Sequence, residues 1–341
     1  MEKLKQAVKE IAYYRHQAKF SKLHLSLIPF LSLSSSLYGA LLYTRQSLYR
    51  SGFFSKNRLP VPVISVGNLT WGGNGKTPMA EFIAKRLADY GISPLILTRG
   101  YAGGDEAKML KRHLLGGPVK VGVGANRVAT ANLFFEKYGY VDYRGSKFFE
   151  RTYLDPKMGS HVGSQKIGAA VLDDGMQVLE QKLKDIKLVL QEIKESLPIF
   201  YTRMTPSYFF ELRNISTKMH LGAVLDAVVL CVSAIGSPDA FVRAMEKIGP
   251  LFVDRFDFSD HYSFQLKDIH MMRERLRQLE DKFGYKPIVI VTEKDYDRDP
   301  EILKHLHPFK VLVLCSEMQI IPCNGCNEDS FKSLLKELLE V

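Results

Sequence analysis

The residues with the clearest chemical use stand in one loop, GNLTWGGNGKTP at positions 67–78. Thr70, Trp71, Gly72, Gly73, Asn74, Gly75, Lys76 and Thr77 follow an apolar run, VPVISVG at 61–67, and open a helical pattern near Thr77. A strand, a glycine-rich loop and a helix in that order are what a phosphate loop requires. Backbone N–H groups and the helix N-terminus favour phosphate oxygens, Lys76 reaches the outer phosphates, and the Thr77 hydroxyl can ligate Mg²⁺. Thr70 occupies the place where the G-x-x-x-x-G-K-[ST] pattern has its first glycine, and Gly72 and Gly73 can supply the missing flexibility. The competing reading is a glycine-rich turn with a chance Lys-Thr; the flanking strand and helix favour nucleotide binding.

Four further groups carry ionisable side chains. Asp173-Asp174-Gly175 end the apolar run KIGAAVL at 166–172. Carboxylates at the C-terminal end of a parallel strand face the ligand crevice, where Asp173 and Asp174 can hold Mg²⁺ with Thr77; a plain strand-end turn is the alternative. Asp105, beside Glu106, lies between a strand and a helix, and its plainer reading is a helix cap. Asp260-His261 is the sole Asp-His pair and can relay a proton, or be a loop histidine without a role. Thr292-Glu293-Lys294-Asp295 also closes an apolar strand; it is loosely similar to base-reading loops and equally fits a solvated charge cluster. Cys323 and Cys326 form a lone C-x-x-C with no second pair or spaced histidines to complete a zinc site, so it reads as a turn.

These groups need a scaffold. Strands at 61–67, 94–98, 119–123, 166–172, 226–233, 251–253, 287–292 and 311–315 alternate with helices at 77–90, 106–115, 125–138, 179–195, 238–248, 267–283 and 329–340. The class is therefore α/β: a P-loop NTPase-like parallel sheet with helices on both faces, then a second, smaller α/β domain. The expected division is 1–60, 61–205 and 206–341, with 139–166 polar and irregular.

The chain has 341 residues, 46% hydrophobic and 25% charged, with four cysteines and net charge +10. That composition excludes a disordered, collagen-like or disulfide-rich chain. Residues 1–60 hold ten Lys/Arg against two Glu, so they carry +8 of the charge and the body only +2. A nucleic-acid-binding face across the fold is thereby disfavoured. The same segment contains LHLSLIPFLSLSSSLYGALLY, Leu23 to Tyr43, which is about one membrane span long but diluted by serines, Pro29 and Gly39. Basic flanks fit a helix at an anionic bilayer surface; an amphipathic helix packed on the body is the plainer reading.

Taken together and in order, GNLT-x-GG-x-GKTP (67–78), TRGY (98–101), GDE (104–106), DDG-x-Q (173–177), F-x-DH (258–261) and TEKD (292–295) resemble the tetraacyldisaccharide 4′-kinases of lipid A biosynthesis. The wording around 64–79 and 95–110 is similar to the plant members, which are associated with mitochondria. The resemblance implies transfer of the ATP γ-phosphoryl to the 4′-hydroxyl of a tetraacylated glucosamine disaccharide 1-phosphate, at a membrane, with Mg²⁺. It implies Asp105 as general base paired with His261, Asp260 orienting His261, Asp173 and Asp174 at the Mg²⁺ site, and Lys76 with Thr77 on the phosphates. Family members continue past DDG-x-Q with a histidine, a further core strand, a G-N-G segment and Arg-Glu-Pro. Here Val178 and a charged stretch follow Gln177, as if an internal segment were absent. A nucleotide-binding but inactive variant, or another P-loop small-molecule kinase or GTPase, are the alternatives.

Overall fold

Runs almost free of polar side chains, such as SPLILT and VVLCVS, offer no face to water and must be covered on both sides. In the computed structural model they are inner strands of two sheets. The structure describes residues 8, 11, 21–53, 58–68, 75–100, 104–142, 166–177, 198–323 and 325–339. The helix expected at 179–195 and the polar stretch 143–165 lie outside them. The chain separates into two units, Met1–Arg58 and Leu59–Val341.

The first unit contains helix α1 (Lys22–Arg50), 29 residues with none buried. Its best window has mean hydropathy 1.6, long and apolar enough to cross a membrane. The serines that dilute the sequence do not interrupt it. Ser26 and Ser36 donate to the carbonyls of Leu23 (2.9 Å) and Ser32 (3.0 Å), and Thr44 donates to Ala40 (2.9 Å). Each hydroxyl is thus satisfied inside the helix, which lowers its cost in an apolar surrounding.

In the second unit, β1 (Val63–Asn68), α2 (Lys76–Asp89), β2 (Ser93–Thr98), α3 (Asp105–His113), β3 (Lys120–Val123), α4 (Arg127–Tyr138) and β4 (Ile167–Gln177) build the first sheet. Its order is β1-β4-β2-β3, and every pairing is parallel. One face packs Ala80, Ile83, Ala84 and Leu87 of α2 on Val66, Ile96 and Val171; the other packs Ala131 and Phe135 of α4 on Leu95, Leu97 and Ala170. Parallel strands covered on both faces leave only their ends for polar work.

The second sheet takes β5 (Tyr201–Glu211), β6 (Asn214–Met219), β7 (Val228–Ser233), α5 (Pro238–Ile248), β8 (Phe252–Asp257), α6 (Leu266–Phe283), β9 (Ile288–Thr292), α7 (Glu293–Arg298), α8 (Pro300–Lys304) and β10 (Lys310–Ile321). Its order is β6-β5-β10-β9-β7-β8. The last helix, α9 (Glu328–Leu339), returns to the first sheet, where Leu335 and Leu339 join the core under α2.

Two features differ from the sequence expectation. β5 and β6 are antiparallel additions that no apolar run announces. β5 is only partly buried over most of its length, so its pattern lacks a clean period, and Pro206 sits where the β5–β10 register shifts. A proline cannot donate to the ladder and is tolerated at such an irregularity. β10 also runs on past Cys315 to Ile321, paired with Tyr201–Pro206. The core beneath is tight: Leu230 is fully buried among Val228, Val289, Met272 and Leu276. Leu230→Ala should destabilise the protein by about 3 kcal/mol, read as a lower urea midpoint at unchanged slope.

Candidate active site

The phosphate-loop residues Thr70, Trp71, Gly72, Gly73 and Asn74 lie outside the described residues. The loop's end is on view. Gly75 precedes α2 with φ 74°, a left-handed conformation that glycine adopts without cost. Lys76 and Thr77 begin the helix, and Thr77 is buried. The Thr77 hydroxyl donates to Asp173 Oδ2 at 3.0 Å. β4 runs on past the expected end at 172, and Asp173 is buried within it, opposite Val66 of β1 and one residue beyond the last pairing with β2 at Leu172. Asp174 follows it in β4; its side chain lies outside the described residues.

A hydroxyl and a carboxylate, both hard oxygen donors in contact beside a helix start, fit Mg²⁺. That ion takes one or two protein oxygens and fills its remaining positions with phosphates and water. No cage of three or more His, Cys, Asp or Glu is present among the described residues, and that binding mode needs none. Arg127, at the start of α4, donates to the Asp173 carbonyl at 2.7 Å and holds the strand end in place.

The second group is assembled from both sheets. Asp105 opens α3 and has no exposed surface. One oxygen does cap, as the plainer reading expects: Oδ1 accepts from the Glu106 N–H at 2.9 Å. The other, Oδ2, accepts from Arg298 at 3.0 Å and faces His261 Nδ1 at 3.5 Å. The latter approach is an ion-pair distance without hydrogen-bond alignment. Asp105 and His261, far apart in sequence, are therefore neighbours. His261 has φ 61°, the one positive value among described non-glycine residues. Its N–H donates to the Ala234 carbonyl at 3.1 Å, which fixes this sparsely populated turn. Asp260 Oδ2 stands 3.8 Å from His261 Nε2, beyond hydrogen-bond reach. Its Oδ1 lies 3.6 Å from Lys294.

The TEKD segment is neither a loop nor a solvated cluster. Thr292 caps α7, accepting from the Asp295 N–H at 3.3 Å and donating to Asp295 Oδ2 at 2.7 Å. Glu293, Asp295 and Asp297 are buried. Lys294 turns to the crevice and reaches His261 Nε2 and Glu106 Oε1, each at 3.3 Å. Arg298, which sequence reasoning missed, is nearly buried and binds Asp295 at 2.8 Å, Asp105 at 3.0 Å, and the carbonyls of Tyr262 and Ala234. The available signal was the D-x-x-R spacing of Asp295 and Arg298 on one helix face.

A second network was also missed. His113 lies between Glu81 (Nδ1 to Oε1, 2.9 Å) and Glu293 (Nε2 to Oε1, 2.6 Å). Arg112 binds Glu293 at 3.0 Å and Asp297 at 2.7 Å. Burial opposes charge on His113, but the hydrogen bonds and charges of Glu293 and Glu81 outweigh it and lift the imidazole to about 9. Both glutamates are correspondingly held below the usual carboxylate value, against their own burial. The network ties α2, one turn beyond Thr77, to α7. Cys323 and Cys326 are reduced and pair across a tight turn through two backbone hydrogen bonds, in line with the turn reading.

One cavity of about 950 Å³ is lined by Lys76, Thr77, Asp173, Asp260, His261 and Lys294. A helix opened by Gly-Lys-Thr, backed by a strand-end aspartate, places the protein in the phosphate-loop α/β class. Its sequence matches the model of the family LpxK: Tetraacyldisaccharide-1-P 4′-kinase over residues 27–197 and 178–340, and the chain belongs to that family. The two stretches overlap just past β4, where the internal segment is expected to be absent.

An Arabidopsis thaliana protein, "Probable tetraacyldisaccharide 4′-kinase, mitochondrial", is 49% identical over 390 positions, covering 99% of this chain and 98% of its own. Those positions outnumber the 341 residues here, so the relative carries residues without a counterpart in this chain. The tetraacyldisaccharide 4′-kinase of Desulfotalea psychrophila is 29% identical over 76% of this chain and 85% of its own. The solved structure of "apo" form LpxK from Aquifex aeolicus in complex with ATP shares the fold. Its TM-score is 0.57 at 20% identity, over 92% of this chain and 98% of that one.

The His113 shift has a definite sign. Its folded value of about 9 exceeds the unfolded 6.5, so its contribution is complete below pH 6.5 and is lost as pH rises through about 9. Wild-type stability should fall by the order of 2–3 kcal/mol across that window. His113→Gln should be less stable at pH 6 and should lack this slope, as measured by urea unfolding at each pH.

Proposed function

We propose that this chain is an ATP-dependent kinase that phosphorylates the 4′-hydroxyl of a tetraacyldisaccharide 1-phosphate at a membrane. The observation that carries the reading is the convergence on one cavity of a Lys-Thr helix start with its aspartate and of His261, backed by buried Asp105. Near-full-length identity to the plant relative supports the substrate class.

The division of labour follows from position. Lys76 and the loop before it bind the ATP phosphates. Thr77, Asp173 and Asp174 would hold Mg²⁺, which neutralises phosphate charge when bound. Asp105 is fully buried, so the member of the pair that meets the hydroxyl is His261, about one-third exposed and facing the cavity, with Asp105 behind it, rather than Asp105 itself as the resemblance implies. A sugar hydroxyl is a weak acid, so a base beside it raises its nucleophilicity. The remaining catalysis is alignment of acceptor and phosphoryl group. Asp260 adds negative charge near the imidazole through space.

The acylated substrate calls for a bilayer surface, and α1 with the basic residues of the first unit supplies the anchor. The plant relative's name supports a mitochondrial location. No nucleic-acid partner is proposed, because the body carries only +2 of the charge.

Full-length protein in detergent with Mg²⁺-ATP should phosphorylate a tetraacyldisaccharide 1-phosphate, read as radiolabelled lipid. Lys76→Ala and Asp105→Asn should each lose about 100-fold or more in kcat/KM. A folded preparation that binds ATP yet transfers no phosphate would sink the reading. Vesicles containing anionic lipid should capture the full chain and release it as salt rises, whereas residues 59–341 should bind them weakly. Equal binding of both forms would refute the anchor.

A further inference from the structure

Lys294 belongs to none of the roles assigned above, yet its ammonium occupies the centre of the base cluster. It lies 3.3 Å from His261 Nε2, 3.3 Å from Glu106 Oε1 and 3.6 Å from Asp260 Oδ1. Its side chain is 18% exposed and lines the same cavity as Lys76 and Thr77. It arrives there by construction. The first turn of α7 is fixed by the Thr292 cap, and with Glu293, Asp295, Tyr296 and Asp297 buried around the helix, Lys294 is left to face the crevice.

Building on the kinase reading, we propose that Lys294 is a positioning residue that holds His261 as the tautomer with its proton on Nδ1 and a lone pair on Nε2. An ammonium has donors only, so the ring nitrogen it contacts must accept. Nε2 is that nitrogen, which puts the proton on Nδ1, facing Asp105 Oδ2 at 3.5 Å. Asp105 makes no aligned hydrogen bond there, but its negative charge favours a proton on the nitrogen it faces, so it favours the tautomer that the Lys294 contact selects. The charged groups around the ring are Asp105 from α3, Asp260 from its own loop and Lys294 from α7. Arg298 acts through Asp105, and Glu106 through Lys294.

The consequence is chemical. A base must present a lone pair to the hydroxyl it deprotonates, and Nε2 is the ring nitrogen beside Lys294 on the cavity side. With Nδ1–H backed by a buried carboxylate and Nε2 free of a proton, the ring has the orientation logic of a His-carboxylate base. Without Lys294 nothing at Nε2 opposes a proton there, and the ring would populate the tautomer that cannot accept one. The ammonium need only shift from Nε2 toward the phosphates to release the lone pair to the acceptor hydroxyl.

The test reads the tautomer directly. Nitrogen-15 NMR of the full chain in detergent, with His261→Gln identifying the signal among the nine histidines, should show His261 with Nδ1–H in the wild type. Lys294→Met should convert it largely to Nε2–H, and Lys294→Arg should keep the wild-type form. In the kinase assay, Lys294→Met should lower kcat about tenfold with KM little changed, and Lys294→Arg should restore most of it. A wild-type His261 carrying its proton on Nε2 would overturn the proposal whether or not any variant folds. So would an unchanged tautomer in Lys294→Met. If the protein transfers no phosphate, the kinase reading fails, while the tautomer still decides the placement of Lys294.

Discussion

The arrangement turns on one nearly buried guanidinium. Arg298 cannot shed its charge, so burial obliges the fold to surround it with acceptors. It takes carboxylates from α3 and its own helix, and carbonyls from the ends of two other segments: Asp105, Asp295, Ala234 and Tyr262. Those four partners define the crevice. Asp105 brings the first sheet, Ala234 the end of β7, and Tyr262 the loop that carries His261. The strained backbone of His261 is held because its N–H and Arg298 meet the same Ala234 carbonyl.

A buried ion cluster of this kind is weak evidence for stability, since desolvation offsets most of the attraction. What it supplies is uniqueness. An alternative packing of α3 against α7 would strand the buried Asp105 carboxylate without its Arg298 partner, at several kcal/mol. The parallel network of Arg112 and His113 with Glu81, Glu293 and Asp297 extends the same constraint to α2. Glu81 is one turn beyond Thr77, so the helix that presents the phosphate-binding end is fixed to the helix that presents Lys294. In phosphoryl transfer most of the catalysis is alignment, and a rigid link between the two halves of the site serves that end.

The first unit obeys different physics. α1 has no buried residue, and the hydroxyls of Ser26, Ser36 and Thr44 turn back on its own carbonyls. A helix satisfied internally tolerates an apolar surrounding, while Lys22, Arg45 and Arg50 mark ends suited to an anionic headgroup region. An open cavity lined by Lys76 and Thr77 and an apolar helix in a separate unit suit a kinase whose acceptor carries acyl chains.

The sequence alone determined what depends on local order. Strand, glycine-rich loop and helix are contiguous, so Lys76 and Thr77 were legible, as was Asp173 at the end of an apolar run. The helices and the parallel strands followed from their apolar periods. Helices α7 and α8 and the β5–β6 hairpin did not: the helices have six and five residues, the hairpin is a half-exposed edge, and none leaves a periodic trace. The burial of Glu293 and Asp295 removes the solvated-cluster alternative, because charge in a sequence does not say whether a partner waits in space. Asp105 and Arg298 are 193 positions apart and touch only because two sheets set their strand ends toward one crevice. The order of motifs identified the family; only tertiary structure decided that Arg298 joins the two halves and that Lys294 meets His261. Desolvation and ion pairing act between neighbours in space, and the linear chain does not record who those neighbours are.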